Sequence, residues 1–124
     1  MSIDDLYATV GEESITRLVA GFYSQVAADD ILGAMYPVDD LAGAEERLRD
    51  FLIGRFGGPQ RYIEQRGHPR LRMRHAPFRI DQRARDRWMQ LMTRALDQSG
   101  FPSDARTAVL EFFNTTATFM INSQ

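Results

Sequence analysis

The sequence predicts an all-α fold. Four stretches repeat apolar residues at the helical period, no segment reads as a strand, and the longest connection, from Gly57 to Ile80, is broken by three prolines. Two packed helix pairs fit this pattern better than a regular up-and-down bundle, whose connections are short. At 124 residues the chain fits a single domain, residues 1–124, burying roughly two thirds of the surface its unfolded form exposes. A hydrophobic content of 44%, with eight phenylalanines, four tyrosines and one tryptophan, is enough to build one core and to enclose a ligand in it.

After a leading turn with Leu6, Tyr7 and Val10, residues 14–29 place Ile15, Leu18, Val19, Phe22, Tyr23 and Val26 on one helical stripe. Tyr23 lies inside the stripe, so its hydroxyl is expected to be buried and to find a partner. Gly33 and Tyr36-Pro37 make residues 31–40 a connector. Asp39 or Asp40 is expected to cap a second helix to about Phe56, with Leu41, Ala44, Leu48, Phe51 and Leu52 facing inward. Alanine in the middle of that face leaves space. Gly57-Gly58 ends this helix, and Pro59 is placed to open a short one holding Tyr62 and Ile63. Asp81 is a natural cap for a third long helix to about Ser99, with Ala84, Trp88, Leu91, Met92, Ala95 and Leu96 on one face. The last helix starts near Ser103 and carries Ala105, Val109, Phe112, Phe113, Thr116 and Met120.

Residues 67–78 hold both histidines, His68 and His75, and two prolines, Pro69 and Pro77. At most about two helical turns fit between those prolines. On such a helix Leu71 and His75 share one face, so an imidazole stands over an apolar floor. No acidic residue occurs from Gln65 to Ile80, whereas Arg66, Arg70, Arg72, Arg74 and Arg79 do, in a chain of net charge −2. A local anion is expected. Nucleic acid as a general partner is not, because the net charge has the wrong sign. By itself the charge run fits better a solvated basic turn with a structural histidine, on a helical interaction domain whose arginines bind a partner's acids.

The absence of cysteine excludes disulfides, thiolate catalysis and cysteine-ligated zinc or iron–sulfur centres. Two histidines cannot supply a three-histidine zinc site, and no nucleophile elbow, Walker loop or dinucleotide fingerprint occurs. Met1-Ser2-Ile3-Asp4-Asp5 has acidic residues where a signal peptide needs a basic and then an apolar region, so none is expected there, and no apolar run reaches membrane-spanning length. No membrane association is expected, and a cytoplasmic location is the default. One cofactor matches the residues that remain: a neutral imidazole for iron, an aromatic slot for a flat ring, and cations for two carboxylates describe a haem site.

His-Pro-x-Leu-Arg-x-Arg-His at residues 68–75, together with Tyr36-Pro37, Ala44, Gly57-Gly58 and Trp88, resembles the group II truncated haemoglobins, in order from about Leu6 to Asn122. The resemblance implies a truncated globin fold, a two-over-two helical sandwich in which residues 14–29 and 40–56 pack against 82–99 and 103–121 around haem b, iron protoporphyrin IX. It implies His75 as the iron ligand. Tyr23, Tyr36 and Trp88 would form the distal hydrogen-bonding network, with Ala44 and Leu48 beside it. Phe51, Leu71 and Phe78 would pack on the macrocycle, and Arg47, Tyr62 and Arg74 would approach the propionates. The implied function is binding of dioxygen and other diatomic ligands, nitric oxide and carbon monoxide. The alternative is a haem redox enzyme, a nitric oxide dioxygenase or peroxidase-like catalyst fed by an external reductase. Two positions depart from the family pattern: Gly11-Glu12 stands where a glycine pair is common, and Phe56 replaces a larger or more polar aromatic. Scattered surface apolar residues leave a homo-oligomer open.

Overall fold

The computed structural model describes residues 1–124. Six α-helices follow one another: α1 (Leu6–Val26), α2 (Leu41–Arg55), α3 (Arg61–Arg66), α4 (Leu71–Arg74), α5 (Gln82–Gln98) and α6 (Ser103–Phe119). Single 3₁₀ turns occupy Ile3–Asp5 and Gly33–Met35, and there is no strand. No helix is long and apolar enough to cross a membrane.

The first helix is longer at its start, and shorter at its end, than its apolar stripe predicts. It begins at Leu6 and bends at Gly11, whose φ of 81° and ψ of 163° are not helical. Only glycine adopts that region without strain, so the leading turn and the main helix join there, and Leu6 is turned fully inward. At the other end α1 stops at Val26. The Asp29 carboxylate accepts the N–H groups of Ile31 at 3.0 Å and Leu32 at 2.8 Å, offering the backbone a turn in place of further helix.

Nineteen buried residues form one cluster, drawn from α1, α2, α5, α6 and their borders. The helix α1 packs against both α2 and α5, and α5 packs on α6. At the end of α2, Phe56 meets Phe112 and Phe113 of α6, with ring centroids 5.7 and 6.5 Å apart. These contacts close the two-over-two sandwich. Polar groups seal the α1–α5 border: Gln25 donates to the Leu91 carbonyl at 3.0 Å, and Arg87 pairs with Asp29 at 2.6 Å.

The cap assignments divide. Asp81 caps α5, accepting the Ala84 N–H at 2.9 Å. Asp40 holds the cap position of α2 but makes no cap bond, because its carboxylate is drawn to Arg47 at 3.3 Å. Pro59 does not open α3, which starts at Arg61; the side chain of Gln60 instead donates to the Gly54 carbonyl at 2.9 Å. Gly57 and Gly58 do more than end α2. A Cβ on Gly57 would overlap the Asp4 carbonyl, and one on Gly58 would press into the Tyr7 ring. The pair lets the N-terminal segment lie against α2, where the Tyr7 N–H reaches the Phe56 carbonyl at 2.8 Å.

Candidate cofactor site

The single turn α4 carries the central side chain. Just before it, Arg70 adopts a left-handed conformation, φ 47° and ψ 51°, and donates its N–H to His68 Nδ1 at 3.1 Å. His68 is thereby occupied locally. His75 closes the turn: its N–H donates to the Leu71 carbonyl at 3.1 Å, and its ring Nδ1 lies 2.7 Å from the same oxygen. A carbonyl can only accept, so Nδ1 carries the proton and Nε2 presents its lone pair. The ring is half-buried, 6.4 Å from that of Phe78, which is itself exposed. The spacing of Leu71 and His75 is visible in the sequence; the part played by the Leu71 carbonyl is not.

From α1, the connector and α5, Tyr23, Tyr36 and Trp88 gather around Phe22. Its ring centroid is 5.1 Å from Tyr23, 6.3 Å from Tyr36 and 5.4 Å from Trp88. The two tyrosines meet edge to face at 5.6 Å, and Trp88 rests on Phe113 at 5.3 Å. Phe22 reads in the sequence only as a core residue, and its role as the hub of these three rings depends on contacts with the connector and α5. Burial pushes the Tyr36 hydroxyl up to about 12, with the Trp88 indole N–H acting in the opposite direction. Burial also raises Tyr23 well above the ordinary phenol range, helped by Tyr36 and opposed by Arg47. Both phenols therefore keep their protons at neutral pH. Tyr23 corrects one expectation: its ring is buried, yet its hydroxyl has no hydrogen bond within the chain, and no fully buried side-chain oxygen lacks a partner. Its oxygen is accessible and free to bond.

A run of contacts connects this cluster to α4. Arg47 of α2 acts electrostatically on Tyr23. On the same helix Ala44 is buried and Leu48 half-buried, and the Phe51 ring lies 5.9 Å from that of buried Tyr62. Tyr62 in turn lies 5.9 Å beneath the guanidinium of Arg74. Residues 5–122 match the bacterial-like globin family. The chain belongs to that family, among its group II truncated haemoglobins. This globin is 36% identical over 116 residues to a group 2 truncated hemoglobin of Bacillus subtilis, covering 94% of this chain and 87% of that protein. It is similar to the thermostable hemoglobin of the actinobacterium Thermobifida fusca, with 49% identity, a TM-score of 0.91 and coverage of 94% of this chain and 96% of that one. It is also similar to the truncated oxygen-avid haemoglobin of Bacillus subtilis, with 36% identity, a TM-score of 0.90 and coverage of 94% and 98%.

Globins bind haem, and the donor set of this globin suits that group. It has no cluster of three or more histidine, cysteine or acidic side chains able to cage a bare metal ion; it does have one imidazole with an available nitrogen. Its cations are placed for acids. Eight arginines lie within ion-pair distance of a carboxylate, but Arg66, Arg70, Arg72, Arg74 and Arg79 are not among them. Arg72 and Arg79 instead donate to carbonyls of the C-terminal segment, and Arg74 to the Arg66 carbonyl at 3.4 Å. Arg47, expected near a propionate, is bound to Asp40.

Proposed function

We propose that this globin binds dioxygen, and with it nitric oxide and carbon monoxide, at the iron of a haem b held by His75. The observation that carries the proposal is the His75 ring, whose Nδ1–H is committed to the Leu71 carbonyl at 2.7 Å, leaving Nε2 for a metal. When bound, the haem would supply an iron able to take a diatomic ligand. The Leu71 carbonyl keeps the ring in one tautomer and makes Nε2 more basic. Trp88 can only donate, whereas Tyr23 and Tyr36 each donate or accept, so one phenol can bond the ligand while a second group bonds that phenol. Ala44 leaves room on the ligand side beside Leu48. Phe51, Leu71 and Phe78 would pack on the macrocycle, and Tyr62, Arg74 and Arg47 would hold the propionates, Arg47 beside the Asp40 it already pairs with. The likeness to the oxygen-avid haemoglobin of Bacillus subtilis supports dioxygen as the ligand.

Absorption spectra of the ferric, reduced, dioxygen-exposed and carbon-monoxide-exposed protein test this reading, with His75→Ala alongside. A stoichiometric Soret band that shifts with each ligand, and that weakens or changes form in His75→Ala, is expected. A protein that retains no haem under any of these conditions, or an unaltered spectrum in His75→Ala, overturns it.

A further inference from the structure

The half-buried side chain of Asn122, beyond the end of α6, reaches back to the segment that carries His75. Its Nδ2 donates to the Phe78 carbonyl at 2.9 Å and to the His75 carbonyl at 3.3 Å. Its Oδ1 accepts the Ile80 N–H at 2.9 Å and the Ser123 hydroxyl at 3.0 Å. Both donors and both lone pairs of the amide are used, and turning the amide over would set its oxygen against two carbonyls, so the orientation is determined by the partners. The main chain joins in: the N–H groups of Asn122 and Ser123 reach the Ile80 carbonyl at 2.9 and 3.1 Å.

These bonds matter because α4 is one turn long. A single turn is unstable alone, and α4 packs extensively on no other helix. The side chain of His75 is oriented by Leu71 within that same turn, so the Leu71 bond cannot locate the turn in the fold. Bonds from the turn and the residues after it to the C-terminal segment do so. The His75 carbonyl accepts from Phe78 at 3.0 Å, within the loop, and from Asn122, outside it. Arg72 also reaches the C-terminal segment, at the carbonyls of Phe119 and Ile121, both 3.3 Å away, but it does not touch His75.

We propose that Asn122 is a positioning residue for the iron ligand: its amide holds the His75 carbonyl and so sets the position and tilt of the imidazole toward the haem. This rests on His75 being that ligand. The role needs an amide, because the same side chain must donate to two carbonyls and accept from one N–H.

The test is the iron–histidine stretching band of the ferrous, ligand-free protein by resonance Raman, together with the rate of haem transfer to a haem-free acceptor globin. Asn122→Asp is close to isosteric and keeps the acceptor for Ile80, but loses both donors. It is expected to shift or broaden the band and to lose haem about tenfold faster or more. Asn122→Ala should move the band in the same sense. Arg72→Ala, which removes the other bonds from α4 to the C-terminal segment but none to the His75 carbonyl, should move the band less than Asn122→Asp does. An unshifted band in Asn122→Asp overturns the proposal, and so does an equal shift in Arg72→Ala, which would assign the effect to the segment as a whole. Should Asn122→Ala not fold, Asn122→Asp against Arg72→Ala still decides. The His75→Ala spectrum separates the premise from the inference: if it lacks the band, the ligand stands and the amide alone is judged; if the band persists, both fall.

Discussion

Trp88 turns on a single nitrogen. Trp88→Phe keeps an aromatic ring against Phe22 and Phe113, which the indole meets at 5.4 and 5.3 Å, and removes the only group of the cluster that must donate. A hydrogen bond to a charged ligand contributes about 1.5–3 kcal/mol, and each 1.4 kcal/mol is about a factor of ten. Dioxygen release measured by stopped flow is expected to speed up about tenfold or more in Trp88→Phe, with the unfolding midpoint little changed. Because burial holds the Tyr36 phenol at about 12, its donor persists through neutral pH. His75 stands out in the sequence as one imidazole over an apolar floor and Tyr23 as a tyrosine inside a helical stripe, whereas Tyr36 and Trp88 are marked for the site only by the family resemblance. Asn122 was not legible in the sequence, since its partners His75, Phe78 and Ile80 lie 47, 44 and 42 positions away. Arg47 was legible as a cation but not as the partner of Asp40, because the same guanidinium serves either acid.

At the scale of the elements, two aspartates that look alike in the sequence differ in what they bond. Asp81 accepts a helix N–H, and Asp81→Ala is expected to cost about 1 kcal/mol in urea unfolding. Asp40 has only an ion pair with Arg47, in which its side chain is 56% exposed, so Asp40→Ala should cost less than about 0.5 kcal/mol. Equal losses in the two variants would refute this distinction. The helices themselves were legible wherever one face is continuously buried. The start of α1 was not, because the bend at Gly11 resets the phase of the stripe, so that Leu6 and Ile15, both fully buried, do not read as one helical face. The end of α2 was legible as a glycine stop, whereas the contact it makes with Asp4 and Tyr7 was not, since nothing local announces a neighbour fifty residues away.

For the molecule as a whole, acid is the condition that tests the α1–α5 border. Burial raises the Asp29 carboxyl, but the Leu32 N–H, the Arg87 guanidinium and the Ile31 N–H outweigh it and hold the group below its ordinary value. A carboxyl lowered on folding contributes stability that is fully present above the unfolded value, about 3.9, and is lost as pH falls through the lower folded value. Urea midpoints between about pH 2 and 6 should therefore drop less steeply on the acid side in Asp29→Asn than in the parent, and parallel curves would show that Asp29 makes no such contribution. The two-over-two order of the helices was legible only through the family resemblance, since periodicity identifies helices without saying which of them touch.

No member of the nineteen-residue core cluster lies between Phe56 and Leu91, although that interval contains His75, Arg74 and Trp88. Most of the core cluster is thus separate in sequence from the interval that carries the proposed iron ligand. Over evolutionary time the two can drift at different speeds. Substitutions at exposed positions of residues 57–90 leave the core cluster intact, whereas a change at Phe22 or Leu96, both buried in it, costs packing energy whatever the chain binds. Tyr23 and Ala44 belong both to the core cluster and to the proposed site, so demands of the ligand and demands of the fold meet in those two side chains, which leaves them the least room to vary.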